Sequence, residues 1–346
     1  MKAILFEQFN TAPKVVQLPS PDPEPHGVVL AIKATGMCLS DWHGWKGHDS
    51  DIELPHVPGH ELAGEIVAMG KAVRGFSLGD RVTVPFVCAC GFCSECHSGN
   101  HQVCDQQSQP GFTHWGSFAE FMKVDYAATN LVPIPEGISN ETASLLGCRF
   151  TTAFRALVAQ GRVQGGQYVA VHGCGGVGLS AIMIATALGA QVIAIDINPD
   201  ALQIATKMGA FATINAAQTE DVPEAVRELS GGGVHVSLDA SGHPNTCFHS
   251  IANLRKRGTH VQVGLMTATH QHPQIPMDLV IANELEIRGS HGMQAHKFEA
   301  IFKMIAAGIV HPQRLLERTI SLEESADLLP KMNQWHPKGV TVINQF

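Results

Sequence analysis

The segment Val169-Ala-Val-His-Gly173-Cys174-Gly175-Gly176-Val177-Gly178-Leu-Ser-Ala commits much of this chain to one architecture. A strand-length apolar run meets a glycine-rich turn, and the turn opens directly into helix-forming sequence. Gly173 permits the tight turn, Gly175 lets backbone approach a pyrophosphate, and Gly178 allows close helix–strand packing. Gly176 and Val177 open a helix whose unpaired N–H groups and dipole suit phosphate. Such a turn alone is weak evidence of a nucleotide site. Here it is answered by Asp196 at the end of the next apolar run, Val192-Ile-Ala-Ile-Asp196, an acid suited to both adenosine ribose hydroxyls. Ile197-Asn-Pro-Asp-Ala201 supplies no cation for a 2′-phosphate, so NAD is expected rather than NADP.

Around that turn, strand candidates alternate with helical stretches: Tyr168–His172, Gln191–Asp196, Ala212–Asn215, Val234–Asp239, Thr259–Gly264 and Leu285–Gly289. Alternation of this kind predicts a doubly wound parallel sheet with helical crossovers, an α/β fold over residues 149–290. Residues 1–148 read differently. Short apolar runs (Val28–Ala34, Glu61–Met69, Arg81–Val84) between Gly/Pro turns predict a largely antiparallel β-rich unit. Two helical segments and a terminal strand, Val340–Asn344, make up 291–346 and are expected to return to that first domain. At 346 residues, two domains are the natural expectation.

Within the β-rich part, Cys90-x2-Cys93-x2-Cys96-x7-Cys104 sits on a Gly-punctuated lobe over about 88–105. Four soft thiolates at such short spacings suit a closed tetrahedral Zn²⁺, a site that holds structure rather than turning over substrate. Of nine cysteines, the other five are Cys38, Cys88, Cys148, Cys174 and Cys247. Cys88 reads as structural or spare, and Cys174 and Cys247 as packing. Residues 1–10 lack the apolar run of a signal peptide and read as a first strand, so the cysteines suggest metal ligation in a reducing cytosol and a cytoplasmic protein. A net charge of −8 argues against binding nucleic acid. Nothing approaches the roughly 20 apolar residues of a membrane span.

Three further segments complete the pattern: Gly36-Met-Cys38-Leu-Ser40-Asp41-Trp-His43, Pro58-Gly-His60-Glu61-Leu-Ala-Gly64, and Cys148-Arg-Phe-Thr-Thr152. With the cysteine lobe and the glycine turn, in this order and spacing, the chain resembles the zinc-dependent alcohol dehydrogenases of the medium-chain dehydrogenase/reductase superfamily across essentially its whole length. The resemblance implies a GroES-like catalytic domain joined to a Rossmann domain, two Zn²⁺ per subunit, and NAD. It implies that Cys38, His60 and Cys148 ligate a catalytic zinc, a Cys₂His set with one open position. It makes Ser40 and His43 a proton relay, Asp41 the carboxylate orienting the histidine ligand, and Glu61 an acid beside the metal that exchanges as a ligand. Thr152 and Val177 match positions lining the nicotinamide.

By alignment to the family pattern, Phe86 and Leu265 belong to the substrate pocket; Trp42, Trp45 and Trp115 are added by position. Such a wall favours apolar primary alcohols, aliphatic or aromatic. A secondary-alcohol or polyol dehydrogenase is the nearest alternative, although those relatives more often carry a carboxylate as third ligand. A zinc-free quinone or enoyl reductase is disfavoured by both zinc sets. A non-catalytic NAD-binding zinc protein is a different class, opposed by the intact relay. The family is oligomeric, and a homotetramer using the edge strand Leu285–Gly289 is expected. Two departures stand out. Leu39 and an arginine-free C-terminal strand replace cations that often support the pyrophosphate, predicting weaker NAD binding and faster NADH release. Arg149 directly follows the third ligand, where it could reach the cofactor carboxamide, a substrate carboxylate or a neighbouring Asp.

Overall fold

The computed structural model describes residues 1–266, 270–334 and 339–346. The chain divides into two compact units: Met1–Thr151 with Gly292–Lys303 and Pro312–Phe346, and Thr152–His291 with Met304–His311. The structure thus groups Met304–His311 with the second unit, whereas the sequence reading placed all of 291–346 with the first. The first unit also runs three residues beyond Cys148.

In the first unit, β1 (Lys2–Leu5) and β2 (Lys14–Gln17) form a two-stranded ribbon. A seven-stranded sheet follows, built from β3 (Val28–Gly36), β4 (Glu61–Met69), β5 (Arg81–Thr83), β6 (Phe121–Val124), β7 (Val132–Pro133), β14 (Leu316–Ser321) and β15 (Val340–Gln345). Its pairings are antiparallel except β14 with β15. The C-terminal strand does return to this sheet, pairing with β3 through Val342↔Gly36 and Ile343↔Thr35. The pairing of β3 with β4 matters most for function, because it sets Gly36 opposite Glu61. The loop to Cys38 and the approach to His60 therefore start from adjacent strand ends. Apolar residues of these strands, among them Val28, Leu30, Leu62, Ile66 and Met122, close a buried core beneath them.

The second unit is a six-stranded sheet of β8 (Tyr168–His172), β9 (Gln191–Asp196), β10 (Ala212–Asn215), β11 (Val234–Asp239), β12 (Leu254–Gln262) and β13 (Glu286–Gly289). Every pairing is parallel, in the order β10-β9-β8-β11-β12-β13. Four of the six strands match their expected ranges residue for residue. β8, β9 and β11 are buried over most of their length, as parallel strands covered on both faces should be. The order of connection reverses between β8 and β11, so the carboxyl end of β8 lies at a topological switch point, where open α/β sheets bind ligands. β12 begins five residues earlier than the sequence suggests. A register shift against β11 and the left-handed backbone of Arg257 interrupt its period, which hides its first half from pattern reading.

Candidate active site and metal centres

Cys38 caps the N-terminus of the helix Leu39–Trp45, and its backbone N–H donates to Asp41 Oδ2 at 2.8 Å. This reciprocal capping fixes the first helical turn and turns Asp41 inward, where it is almost fully buried. Asp41 Oδ1 accepts two further bonds, from the Gly59 N–H at 3.1 Å and from His60 Nδ1 at 2.9 Å. Gly59 has φ of +105°, and a Cβ there would lie 2.4 Å from Phe118 Cδ1, so only glycine carries the chain into His60 on this path. With Nδ1–H committed to Asp41, the proton is placed and His60 Nε2 keeps its lone pair. That buried Nε2 has no hydrogen-bond partner. Burial opposes protonation of His60, but the charge and hydrogen bond of Asp41, with the neighbouring Cys38 sulfur, together outweigh it and raise the ring above its ordinary range.

Cys148 arrives from the π-helical turn Leu146–Phe150, a geometry frequent at functional sites. Donor atoms of Cys38, His60, Glu61 and Cys148 all lie within 4.8 Å of one another. A hydrogen bond from the Cys148 thiol holds Cys38 well below the thiol range, and the same bond with burial raises Cys148. Two sulfurs, an orphaned imidazole nitrogen and a carboxylate make a donor chemistry that suits zinc.

Glu61, at the start of β4, is fully buried and does not stand free. Arg149 Nε donates to Glu61 Oε1 at 2.9 Å and to Oε2 at 2.8 Å, and the Arg149 backbone N–H reaches Oε1 at 3.0 Å. Nη2 also bonds Glu61 Oε2 and the Met37 carbonyl, the latter at 2.8 Å. Of the partners open to Arg149 from sequence, a neighbouring acid is the one it meets, a glutamate rather than an aspartate. Ser40 Oγ lies 3.7 Å from Cys38 Sγ. His43 shares a 2.9 Å contact with His48 through their Nδ1 atoms, a residue that sequence reading did not single out. Burial and the His48 ring both lower His43 below its ordinary range.

Among the pocket candidates, Phe86 lies beside His60, with ring centroids 6.3 Å apart. Phe112, missed from sequence because no motif surrounds it, is closer at 5.1 Å. The tryptophans sit elsewhere. Trp45 is buried in a core with Phe6 and Ile343 and donates its indole N–H to the Thr11 carbonyl at 2.6 Å. Trp42 is buried in the same core. Trp115 lines a cavity of about 490 Å³ together with Phe112, and its indole N–H donates to the Pro55 carbonyl at 3.0 Å. Position along the chain did not reveal which aromatics face the donors. In the second unit, Leu265 is exposed.

The lobe forms a second cluster. Cys90, Cys93, Cys96 and Cys104 converge, with Sγ–Sγ distances of 3.9 Å (Cys90–Cys96), 3.7 Å (Cys93–Cys104) and 3.5 Å (Cys90–Cys104). Zinc–sulfur bonds of about 2.3 Å at tetrahedral angles require sulfurs about 3.8 Å apart, and a disulfide about 2.05 Å, so the spacing fits the metal. Backbone N–H groups already point at the sulfurs, from Cys90 to Cys104 and from Cys96 to Cys93. The Cys96 N–H pulls the Cys93 thiol down to about 7, while burial pushes Cys96 up to about 12. Cys88 stays outside this cluster, its thiol on the Pro85 carbonyl and raised to about 12 by burial.

In the second unit, the turn after β8 has the expected shape. Gly173 takes φ of +91°, and a Cβ on Gly178 would fall 1.8 Å from the Gly173 carbonyl oxygen. The helix Gly176–Ala187 begins at Gly175 with no side chain capping it, which leaves its first N–H groups for an anion. Asp196 accepts from Cys174 N–H at 2.6 Å and Asn198 N–H at 2.8 Å, which pins its carboxylate beside the turn. Thr152 is buried, and its Oγ1 has no partner.

A parallel nucleotide-binding sheet, a GroES-like β unit and two metal-donor clusters define a zinc-binding dehydrogenase. The family models agree: residues 24–136 match the alcohol dehydrogenase GroES-like domain, and residues 176–307 match the zinc-binding dehydrogenase domain. An alcohol dehydrogenase of Geobacillus stearothermophilus is 33% identical over 346 residues, covering 99% of each chain. A sorbitol dehydrogenase of Bacillus subtilis is 32% identical, covering 99% of this chain and 96% of its own. A crystal structure of an alcohol dehydrogenase from E. coli CFT073, complexed with NADH, superposes with a TM-score of 0.89 at 26% identity, covering 99% of each chain. The chain belongs to the zinc-binding medium-chain alcohol dehydrogenase family, and is an NAD(P)-linked oxidoreductase of that family.

Proposed function

We propose that this chain is an NAD-linked, zinc-dependent dehydrogenase of apolar primary alcohols, working in either direction between alcohol and aldehyde. The observation that carries the reading is the orphaned, tautomer-fixed Nε2 of His60 converging with the Cys38 and Cys148 sulfurs. Cys38, His60 and Cys148 would hold the catalytic zinc, and Cys90, Cys93, Cys96 and Cys104 the structural one. When bound, zinc supplies Lewis acidity toward an alcohol oxygen and NAD⁺ supplies the hydride acceptor.

The chain's own residues do the rest. Asp41 keeps the His60 tautomer that leaves Nε2 free to donate its pair. Ser40 Oγ takes the substrate proton, and His43 is the base toward which that proton moves. Gly173, Gly175, Gly176, Val177 and Gly178 cradle the pyrophosphate, and Asp196 receives the adenosine ribose hydroxyls and repels a 2′-phosphate. Thr152, its buried hydroxyl unpartnered, would hydrogen-bond the nicotinamide end. Phe86 and Phe112 beside His60 present apolar surface, which favours hydrocarbon substituents over polyols. The sorbitol dehydrogenase among its relatives keeps polyol oxidation as the second reading.

The test is NAD⁺ and NADP⁺ reduction by zinc-replete protein across primary, secondary, aromatic and polyhydric alcohols, with Cys148→Ala as control. Turnover with NAD⁺, led by apolar primary alcohols and lost in Cys148→Ala, is expected. Preference for sorbitol-like polyols would overturn the substrate class, and turnover that survives in Cys148→Ala would overturn the role of the metal.

A further inference from the structure

We infer that Arg149 is a positioning residue that holds Glu61 off the catalytic metal, so that the site presents three protein donors and one open position. The inference rests on the dehydrogenase reading of the Cys38, His60 and Cys148 cluster.

Glu61 is near enough to ligate: its carboxylate lies within 4.8 Å of the donor atoms of Cys38, His60 and Cys148. Zinc accepts carboxylate readily, and four protein ligands close a site that needs a vacant position for substrate. Both oxygens of Glu61 are nevertheless committed. Oε1 accepts from the backbone N–H and Nε of Arg149, and Oε2 from Nε and Nη2. Bidentate, charge-assisted bonds of this kind are among the strongest available to a carboxylate. If Glu61 moved to the metal, Arg149 would be left charged and buried without its carboxylate, with the Met37 carbonyl as its remaining acceptor, an arrangement proteins rarely sustain. Gly36 completes the arrangement: a Cβ there would fall 2.5 Å from Glu61 Oε2, so the absence of a side chain lets the carboxylate lie where Arg149 reaches it.

The same guanidinium joins the chain neighbours of all three donors. Nη2 bonds the carbonyl of Met37, adjacent to Cys38; the pair is with Glu61, adjacent to His60; and Arg149 itself follows Cys148. One side chain thereby ties together the three segments that must converge.

The experiment replaces zinc with cobalt(II) and titrates imidazole while the cobalt d–d bands are recorded. Only a site with an open position responds, because the four-cysteine site has none. Wild-type protein binds imidazole. In Arg149→Met the freed carboxylate competes for that position, and imidazole binding weakens by roughly tenfold or more with a changed cobalt spectrum. Arg149→Met/Glu61→Gln, which removes both charges, recovers wild-type binding. If Arg149→Met does not load cobalt, the comparison runs through Arg149→Lys, with the same expected direction and the same rescue by Glu61→Gln. Wild-type imidazole affinity in the cobalt-loaded single variant, or a double variant no better than the single one, overturns the inference. Wild-type protein that shows no imidazole-sensitive cobalt site overturns the dehydrogenase reading itself, and this inference with it.

Discussion

At the scale of single residues, Asp41 organises the donor cluster around His60. Asp41 accepts from Cys38 N–H, Gly59 N–H and His60 Nδ1, so one buried side chain sets the helix cap, the approach of the chain to His60 and the ring's tautomer. Asp41→Asn keeps the shape but loses the charge that favours an Nδ1–H facing it. We expect metal affinity to fall by about 10- to 100-fold, as when outer partners of zinc histidines are replaced. Competition with a chromophoric chelator measures this, and unchanged affinity would show that Asp41 serves the helix cap alone. His43 is less isolated than its motif suggests. His48 lies against it, and a shared Nδ1···Nδ1 contact requires one ring to donate while the other accepts.

At the scale of elements, the four-cysteine lobe is almost independent of regular structure. Its helix, Ser94–His97, is four residues long, far below what is stable alone, so metal ligation by the four sulfurs would hold the loop. Two of these cysteines start as thiols held up by burial, Cys96 and Cys104, and only a cation makes four adjacent thiolates tolerable. Cys104→Ser should therefore open the lobe. We expect a melting temperature lower by roughly 5 °C or more, and new proteolytic cuts within residues 88–105. Imidazole titration of the cobalt-loaded variant should stay as in wild type, since the Cys38, His60 and Cys148 cluster shares no donor with the lobe. A lobe that keeps its protease resistance would show that packing, not metal, holds it.

At the scale of the whole molecule, the six-stranded sheet ends on β13, whose outer edge has no partner strand among the described residues. Ile287 on β13 is 44% exposed. An exposed strand edge is a template for pairing with another chain. A second copy paired edge to edge would continue the sheet, which is the basis of the oligomer proposed for this protein. Ile287→Pro removes a ladder donor and should lower the mass found by light scattering in solution. A monomeric wild type, or a variant of unchanged mass, would place the contact elsewhere. Among the described residues, no helix is long and apolar enough to cross a membrane.

What sequence alone determined here is local. The Gly173–Gly178 turn, Asp196 and the four cysteines were legible because each is a short-range constraint: a steric rule on glycine, or a metal's demand for ligands a few residues apart. Strands β8, β9 and β11 were legible for a similar reason, since a largely covered parallel strand reads as a mostly apolar run. Tertiary structure decided what depends on meeting across the fold. The register of β3 with β4 brings Gly36 opposite Glu61, and Arg149, 88 residues along the chain from Glu61, reaches both that acid and the Met37 carbonyl. No periodicity or spacing encodes that meeting. Among the aromatics, the family pattern picked out Phe86 beside His60, but position along the chain did not reveal Phe112. Side-chain direction at such positions follows from the packing of distant segments, which a linear pattern does not carry.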